Sequence, residues 1–366
     1  MDNKDNGLEV PQIRESNLEI YRILVMLLII AHHYVVNSGI TDVMYLNGNA
    51  KRTVLMYFFG AWGKSGINGF VLITGYFMCK SQISAKKFLK LLFEIQFYKL
   101  VCYSIFWVTK YEPFSVEGLL NLLIPVTALD KNFPGCYLVF YLLIPFLNEL
   151  LQNLSERMHG LLIILSLSAY TIMGSVQWMT VTFNYVTWFC VLYICSAYIR
   201  LYPKKIFESA SVWGWAMIAS LSLSMISILL RLELVAVSKV CYYLSDSNKI
   251  LAFTNGITSF MFFKNWKCRY IRCVNLLGSS TFGVLLIHAN SGIMRRWLWK
   301  DLLNNVGYFY SDWLVVHMVA SVIGIFAVCT VIDLLRKFYL ERPFFRLLDK
   351  YLNRDCLCIR KSIHDM

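Results

Sequence analysis

An arginine and a histidine lie inside one long apolar stretch, where ionisable side chains are costly. The stretch runs from Leu18 to Val36 and is long enough, at about 1.5 Å per helical residue, to cross most of a bilayer core. Arg22 and His33 are 11 residues apart, so they differ by about 20° around a helix and by roughly 16 Å along its axis. Such groups indicate a functional site, although a snorkelling arginine and a hydrogen-bonded histidine also explain them.

A histidine near one end of a span, with cations toward the other end, suits the transfer of a group from an anionic donor to a hydroxyl. The imidazole of His33 can act as general base on an acceptor hydroxyl while an anionic donor is held from the opposite side. Acyl-coenzyme A is such a donor, because its phosphates and its thioester lie at opposite ends of a thin arm. The separation of Arg22 and His33 is compatible with the length of that arm.

Further cations follow the second apolar stretch. Four lysines lie between residues 80 and 90, and two of them, Lys87 and Lys90, share one face of a helix because they are three residues apart. They either enforce membrane topology or hold an anionic cytosolic ligand such as a nucleotide phosphate. Glu94 lies four residues after Lys90, a spacing that predicts an ion pair between them.

Two other segments carry polar or ionisable residues within apolar surroundings. The second predicted span holds the glycine-rich run 62–70, whose small residues indicate either close helix packing or the wall of a cavity beside the first helix. His288 lies about midway through a later span. A single histidine at such a place is either a packing residue or part of a site.

Composition identifies the class of protein. The 366 residues are 58% hydrophobic and only 16% charged, and the mean hydropathy is +0.55, so we expect an all-α, polytopic membrane protein. The formal charge of +13 does not indicate nucleic acid, because the basic residues are distributed among the loops as topology requires. The eleven cysteines show no paired spacing, so neither disulfides nor a metal site is expected.

Hydropathy predicts ten membrane spans in one domain. The segments that would face the cytoplasm contain more than twice as many lysines and arginines as the others, which favours both termini inside. We expect a polar cytoplasmic segment at 1–17, a transmembrane domain at 18–340 and a basic cytoplasmic tail at 341–366, with residues 336–345 on the inner leaflet. The predicted spans are 18–36, 54–78, 88–108, 135–151, 160–178, 184–201, 212–230, 249–264, 279–299 and 313–335.

The chain resembles acyltransferase family 3, the integral-membrane O-acyltransferases that modify bacterial surface and extracellular polysaccharides. The most specific resemblance is the spacing of Arg22 and His33. Three other segments resemble family motifs: 73–78 (Ile-Thr-Gly-Tyr-Phe-Met), 137–148 and 281–288, which ends at His288. The resemblance extends to Glu341-Arg-Pro343. One departure concerns Lys87 and Lys90, which stand where the family has arginines and therefore lack bidentate phosphate geometry.

The resemblance implies an inner-membrane enzyme that moves an acyl group, most simply acetyl from acetyl-CoA, to a hydroxyl of a surface glycan or lipid-linked glycan precursor. It implies His33 as the catalytic residue, Arg22, Lys87 and Lys90 as donor contacts, and Thr74, Gly75, Tyr76 and His288 as substrate contacts. A transporter or flippase of an anionic glycolipid is the alternative, and it predicts inverted repeats that the sequence does not show. A non-catalytic sensor is a third possibility, and the short loops disfavour it.

Overall fold

The computed structural model describes residues 15–48, 50–126, 129, 132–235 and 239–350. Within these ranges the regular structure is helical and contains no β-strand, as the composition predicts. The α-helices are α1 (Ser16–Val36), α2 (Ile40–Asn47), α3 (Lys51–Gly60), α4 (Gly63–Met78), α5 (Ala85–Val108), α6 (Val116–Leu123), α7 (Phe133–Asn153), α8 (Glu156–Leu167), α9 (Met173–Ser175), α10 (Tyr185–Leu201), α11 (Ala210–Leu234), α12 (Ile250–Asn265), α13 (Arg272–Ser279), α14 (Thr281–His288), α15 (Gly292–Arg296), α16 (Asn305–Tyr308) and α17 (Leu314–Arg336).

Six helical segments in the described ranges are long and apolar enough to cross a membrane, and a bent pair raises the number to seven. They identify a multi-pass membrane protein, but the number of continuous spans is smaller than the ten predicted. The predicted span 54–78 is divided at residues 61–62, between α3 and α4, where Gly60 and Gly63 weaken the helix. The predicted span 279–299 is likewise broken after His288, and the chain bends there by 93°.

Helices α1 and α4 pack antiparallel at the centre of the bundle. Three glycines of α4 face α1: Gly63 lies against His32, Gly66 against Ile29, and Gly69 against Tyr21. Because glycine has no side chain, the two backbones approach closely, which is the packing alternative for the glycine-rich run 62–70. Because Gly63 packs against His32, the next residue, His33, lies near the N-terminus of α4.

Substitution of Gly63 tests this packing. A Cβ atom there would lie 2.4 Å from the Cβ and Cγ atoms of His32, so Gly63→Ala must push α1 and α4 apart. We expect a loss of about 1–3 kcal/mol in stability, measured as thermal unfolding of the purified protein in detergent. Gly324→Ala is the matched control, because nothing lies within 4 Å of the added Cβ and alanine is the better helix former. Equal unfolding temperatures for the two variants would contradict the close packing.

The bundle has two chemically different ends. The end that we call the basic end contains the N-termini of α1 and α5 and the C-termini of α4, α10 and α12; there Asn17 donates hydrogen bonds to the carbonyls of Phe263 and Lys264. The opposite end, the histidine end, contains the C-termini of α1 and α14 and the N-terminus of α4. Because α1 runs from the basic end to the histidine end, Arg22 and His33 lie near opposite ends of the bundle.

A buried ion cluster joins α5 to α17 at the basic end. The guanidinium of Arg336 lies 2.9 Å from Glu94, 3.0 Å from Asp333 and 2.8 Å from Glu341. The predicted pairing of Glu94 with Lys90 is therefore wrong, because Arg336 from another helix is closer. The prediction that 336–345 lies on the leaflet is wrong at its first residue, since Arg336 is only 3% exposed.

Candidate active site

Two histidines from different helices meet at the histidine end. His33, near the C-terminus of α1, places its Nδ1 atom 3.0 Å from Nε2 of His288, the last residue of α14. The Nδ1 atom of His288 lies in turn 2.6 Å from the carbonyl oxygen of Val284, one helical turn earlier. His288 is fully buried and His33 is half-buried, so His33 is the more accessible member of the pair.

These contacts determine where the protons lie when both rings are neutral. The Val284 carbonyl can only accept, so Nδ1 of His288 carries the proton and Nε2 of His288 is the acceptor. His33 must then donate from Nδ1, which leaves the lone pair on its Nε2 atom. Within the described ranges no group is hydrogen-bonded to that atom. The arrangement therefore produces an oriented imidazole with a free basic nitrogen, as a general base requires.

The neighbouring charges at this end are positive. Lys64 of α4 and Arg295 of α15 both lie close enough to His33 to act on it electrostatically. The Lys64 ammonium is 3.0 Å from the Tyr185 hydroxyl and 4.0 Å from Asp246. No carboxylate in the described part of the chain forms an ion pair with Arg295. Cations placed here favour any negative charge that develops beside His33.

His32 makes different contacts from those of His33. Its Nδ1 atom lies 2.7 Å from the carbonyl oxygen of Gly60, at the break between α3 and α4. The ring therefore satisfies a main-chain acceptor where the helix is interrupted, and it packs against Gly63. Because adjacent residues of a helix differ by about 100°, His32 lies off the face that Arg22 and His33 share.

A cleft of about 1290 Å³ runs between α5, α14 and α17. Apolar side chains dominate its lining, and His288 lies in its wall. Lys110 is at one end of the cleft and Arg336 at the other, which places the cleft along most of the bundle. His288 thus touches the cleft on one side and His33 on the other.

The three predicted donor contacts lie at the basic end, and each is engaged by nearby groups. Arg22 forms an ion pair of 2.8 Å with Glu19, one turn earlier on α1. Lys90 lies 3.9 Å from Glu341 and above the ring of Phe345, whereas the ammonium of Lys87 donates to the carbonyl of Gln82. The structure therefore places the three cations at one end of the bundle, on α1 and α5.

The predicted substrate segment of α4 is buried among other helices. The Thr74 hydroxyl lies 3.1 Å from the Tyr137 hydroxyl of α7. Gly75 packs against Ser196 and Tyr193 of α10, where an added Cβ would lie 2.1 Å from the serine oxygen. Tyr76 lies at the basic end, about 20 Å along α4 from Gly63 at 1.5 Å per residue. The segment thus lies far from His33 and closer to the predicted donor contacts.

Buried side chains separate the two ends. Met26 and Ile29 lie on the α1 face between Arg22 and His33, and both are buried. Beside this face, Phe70, Tyr137 and Phe282 pack as an aromatic cluster, with ring centroids 5.5–6.5 Å apart. Any molecule that spans both ends must therefore displace side chains along this route.

The structure reveals two cations at the basic end and one main-chain oxygen that the sequence does not indicate as parts of a site. Arg200 and Lys264 both approach Tyr76, and the carbonyl of Val284 orients His288. The topology predicted from the sequence assigns Arg200 and Lys264 to the cytoplasmic side, but only the packing of α4, α10 and α12 brings them together. Within the described ranges, no group of three or more histidine, cysteine or acidic side chains is arranged to hold a metal ion.

A comparison with known protein families identifies the chain. Residues 15–334 match the profile of acyltransferase family 3, described as an acyltransferase domain. No curated protein and no solved structure matches the chain. The matched region includes both histidines of the pair and all the predicted site residues, so the chain belongs to acyltransferase family 3.

Proposed function

We propose that this protein is an O-acyltransferase of the cytoplasmic membrane, moving an acyl group, most simply acetyl, from cytosolic acyl-CoA to a hydroxyl of a surface glycan or lipid-linked glycan precursor. The observation that carries the proposal is the free Nε2 lone pair of His33, oriented by His288 and the Val284 carbonyl. An imidazole held in one tautomer removes a hydroxyl proton at the moment of attack.

The chemistry at the histidine end follows from this geometry. His33 Nε2 accepts the proton of the acceptor hydroxyl, whose oxygen attacks the thioester carbonyl and expels the coenzyme A thiolate. Lys64 and Arg295 favour the negative charge that forms on the carbonyl oxygen. The protonated His33 then returns its proton to the leaving thiolate. Direct transfer needs no nucleophilic side chain, and the thiol leaves along the route by which the donor entered.

The donor enters from the basic end, which we place in the cytoplasm because positively charged segments favour that side. Arg22, Lys87 and Lys90 provide positive charge for its phosphates, and Thr74, Gly75 and Tyr76 lie on its route. The arm passes along the α1 face at Met26, an unbranched side chain that changes rotamer readily. The acceptor approaches His33 at the histidine end, on the side of the ring that His288 does not cover.

Mass spectrometry of glycan esters tests the proposed function. Cells that express the protein should show an acetyl increment on a surface glycan or its lipid-linked precursor, and cells with an empty vector should not. Purified protein in nanodiscs should release coenzyme A from acetyl-CoA when that glycolipid is added. Transport of the glycolipid without any release of coenzyme A would contradict acyl transfer and favour the transporter alternative.

His288 is expected to act as a positioning residue. His288→Ala removes the acceptor for His33 Nδ1, so we expect kcat to fall about 10- to 100-fold while KM for the donor stays unchanged. His288→Asn keeps an amide oxygen that can accept this hydrogen bond, and it should recover part of the lost rate. A rise in the KM for the donor together with the fall in kcat, without recovery by asparagine, would indicate a purely structural role.

A further inference from the structure

Two cations converge on one tyrosine at the basic end. Arg200, near the C-terminus of α10, donates a hydrogen bond of 2.9 Å from Nη1 to the Tyr76 hydroxyl, and its guanidinium carbon lies 4.7 Å from the ring centroid. Lys264, near the C-terminus of α12, places its ammonium 5.8 Å from the same ring. Three helices thus bring two positive charges to a single neutral side chain.

The two positive charges have no anionic partner in the described part of the chain. Arg200 forms no ion pair, and its Nε atom is buried without a hydrogen-bond acceptor. The Lys264 ammonium donates only to the neutral amide oxygen of Asn265. Glu15 and Glu208 act on Lys264 from a distance, and neither forms an ion pair with it. Buried or half-buried cations of this kind are costly, and an anion that accepts from both removes the cost.

The distance of Arg200 and Lys264 from the two histidines indicates which anion they bind. Tyr76 lies 13 residues after Gly63 on α4, and Gly63 packs against His32, the neighbour of His33. Arg200 and Lys264, which contact Tyr76, are therefore about 20 Å along the bundle from His32 and His33. A molecule that carries phosphate at one end and a reactive group at the tip of a thin arm would satisfy both positions at once.

We propose that Arg200 and Lys264, both beside Tyr76, bind a phosphate group of the acyl-CoA donor; this assignment rests on the function proposed above. Arg200 can turn its buried Nε and one Nη toward two phosphate oxygens, a bidentate geometry that Lys87 and Lys90 cannot provide. The pair thus supplies the arginine contact that is absent at positions 87 and 90. Tyr76 holds the guanidinium in place before the donor arrives.

Binding of coenzyme A to the full-length protein tests this site. The purified protein in nanodiscs of zwitterionic lipid is titrated with coenzyme A and with pantetheine, which shares the arm but has no phosphate. We expect Arg200→Gln and Lys264→Gln each to weaken coenzyme A binding at least tenfold and to leave pantetheine binding unchanged. Lys205→Gln is the matched control, because it removes the same charge from an exposed residue near the end of α10.

A charge reversal separates binding from folding. In Lys264→Glu the new carboxylate takes the place of the ligand beside Arg200, so the protein should keep its unfolding temperature but lose the thermal shift that coenzyme A produces. Equal affinity for coenzyme A in the wild type and in both glutamine variants would overturn the assignment. A second outcome would also overturn it. If anionic lipid in the nanodiscs stabilised the wild type but not Arg200→Gln, while both proteins bound coenzyme A equally, the bound phosphate would be that of a lipid. A wild type that binds no coenzyme A at all refutes the proposed function itself.

Discussion

Replacing His33 with alanine is expected to lower kcat for acyl transfer by about 10³-fold, within the range that general-base catalysis provides. The loss follows from the geometry, because the Nε2 atom of His33 is the basic nitrogen that the contact with His288 leaves free. The donor contacts lie at the opposite end of the bundle, so the affinity for coenzyme A should stay within a few-fold of the wild type. Initial rates of coenzyme A release, together with glycan esters in cells, measure this effect.

The control for this substitution is another buried histidine. His159→Gln removes an imidazole whose Nε2 atom contacts the Ile194 carbonyl, in α8 and away from the His33–His288 pair. Its activity per folded molecule should match that of the wild type. If His33→Ala retained full activity at a normal protein level, the assignment of His33 as general base would be wrong. An equal loss in both variants would indicate damage to the fold instead.

Replacing Arg336 with alanine is expected to destabilise the protein by about 3–5 kcal/mol. The guanidinium is almost completely buried, and it neutralises Glu94, Asp333 and Glu341 together. Its removal leaves buried carboxylates without their main partner, although Lys337 still lies 2.7 Å from Asp333. Because these contacts join α5 to α17, the thermal unfolding midpoint in detergent should fall and proteolysis should become faster.

Arg342→Ala provides the matched control six residues further along. Arg342 is exposed and stacks on the ring of Phe338, with its guanidinium carbon 5.6 Å from the centroid. The expected loss is below about 1 kcal/mol, since exposed cation–π contacts are weak. A similar loss in both variants would mean that the buried ion cluster does not join the two helices. Glu94→Gln should be destabilising but milder, because the neutral amide can still accept from Arg336.

Helical periodicity determined which residues share a face, and for that reason the face of Arg22 and His33 was accessible from the sequence. The apolar runs likewise predicted a helical membrane protein, and most of the long helices begin or end near the predicted boundaries. The two interrupted spans were predicted as continuous because hydropathy alone does not detect a break. In both cases a polar contact replaces the missing helix bonds, as between His32 and the Gly60 carbonyl.

Pairings between distant helices were decided by the tertiary structure alone. The sequence separates His33 from His288 by 255 residues, and no local pattern predicts that their rings meet. Glu94 illustrates the same point, since the nearby Lys90 was the local candidate but Arg336 lies closer in space. Local spacing sets the direction of a side chain from its own helix, whereas the packing of the helices in the bundle decides which other helix that side chain contacts. The sequence therefore determined the candidate base His33, and the packing of α1 against α14 determined the nitrogen on which it carries its lone pair.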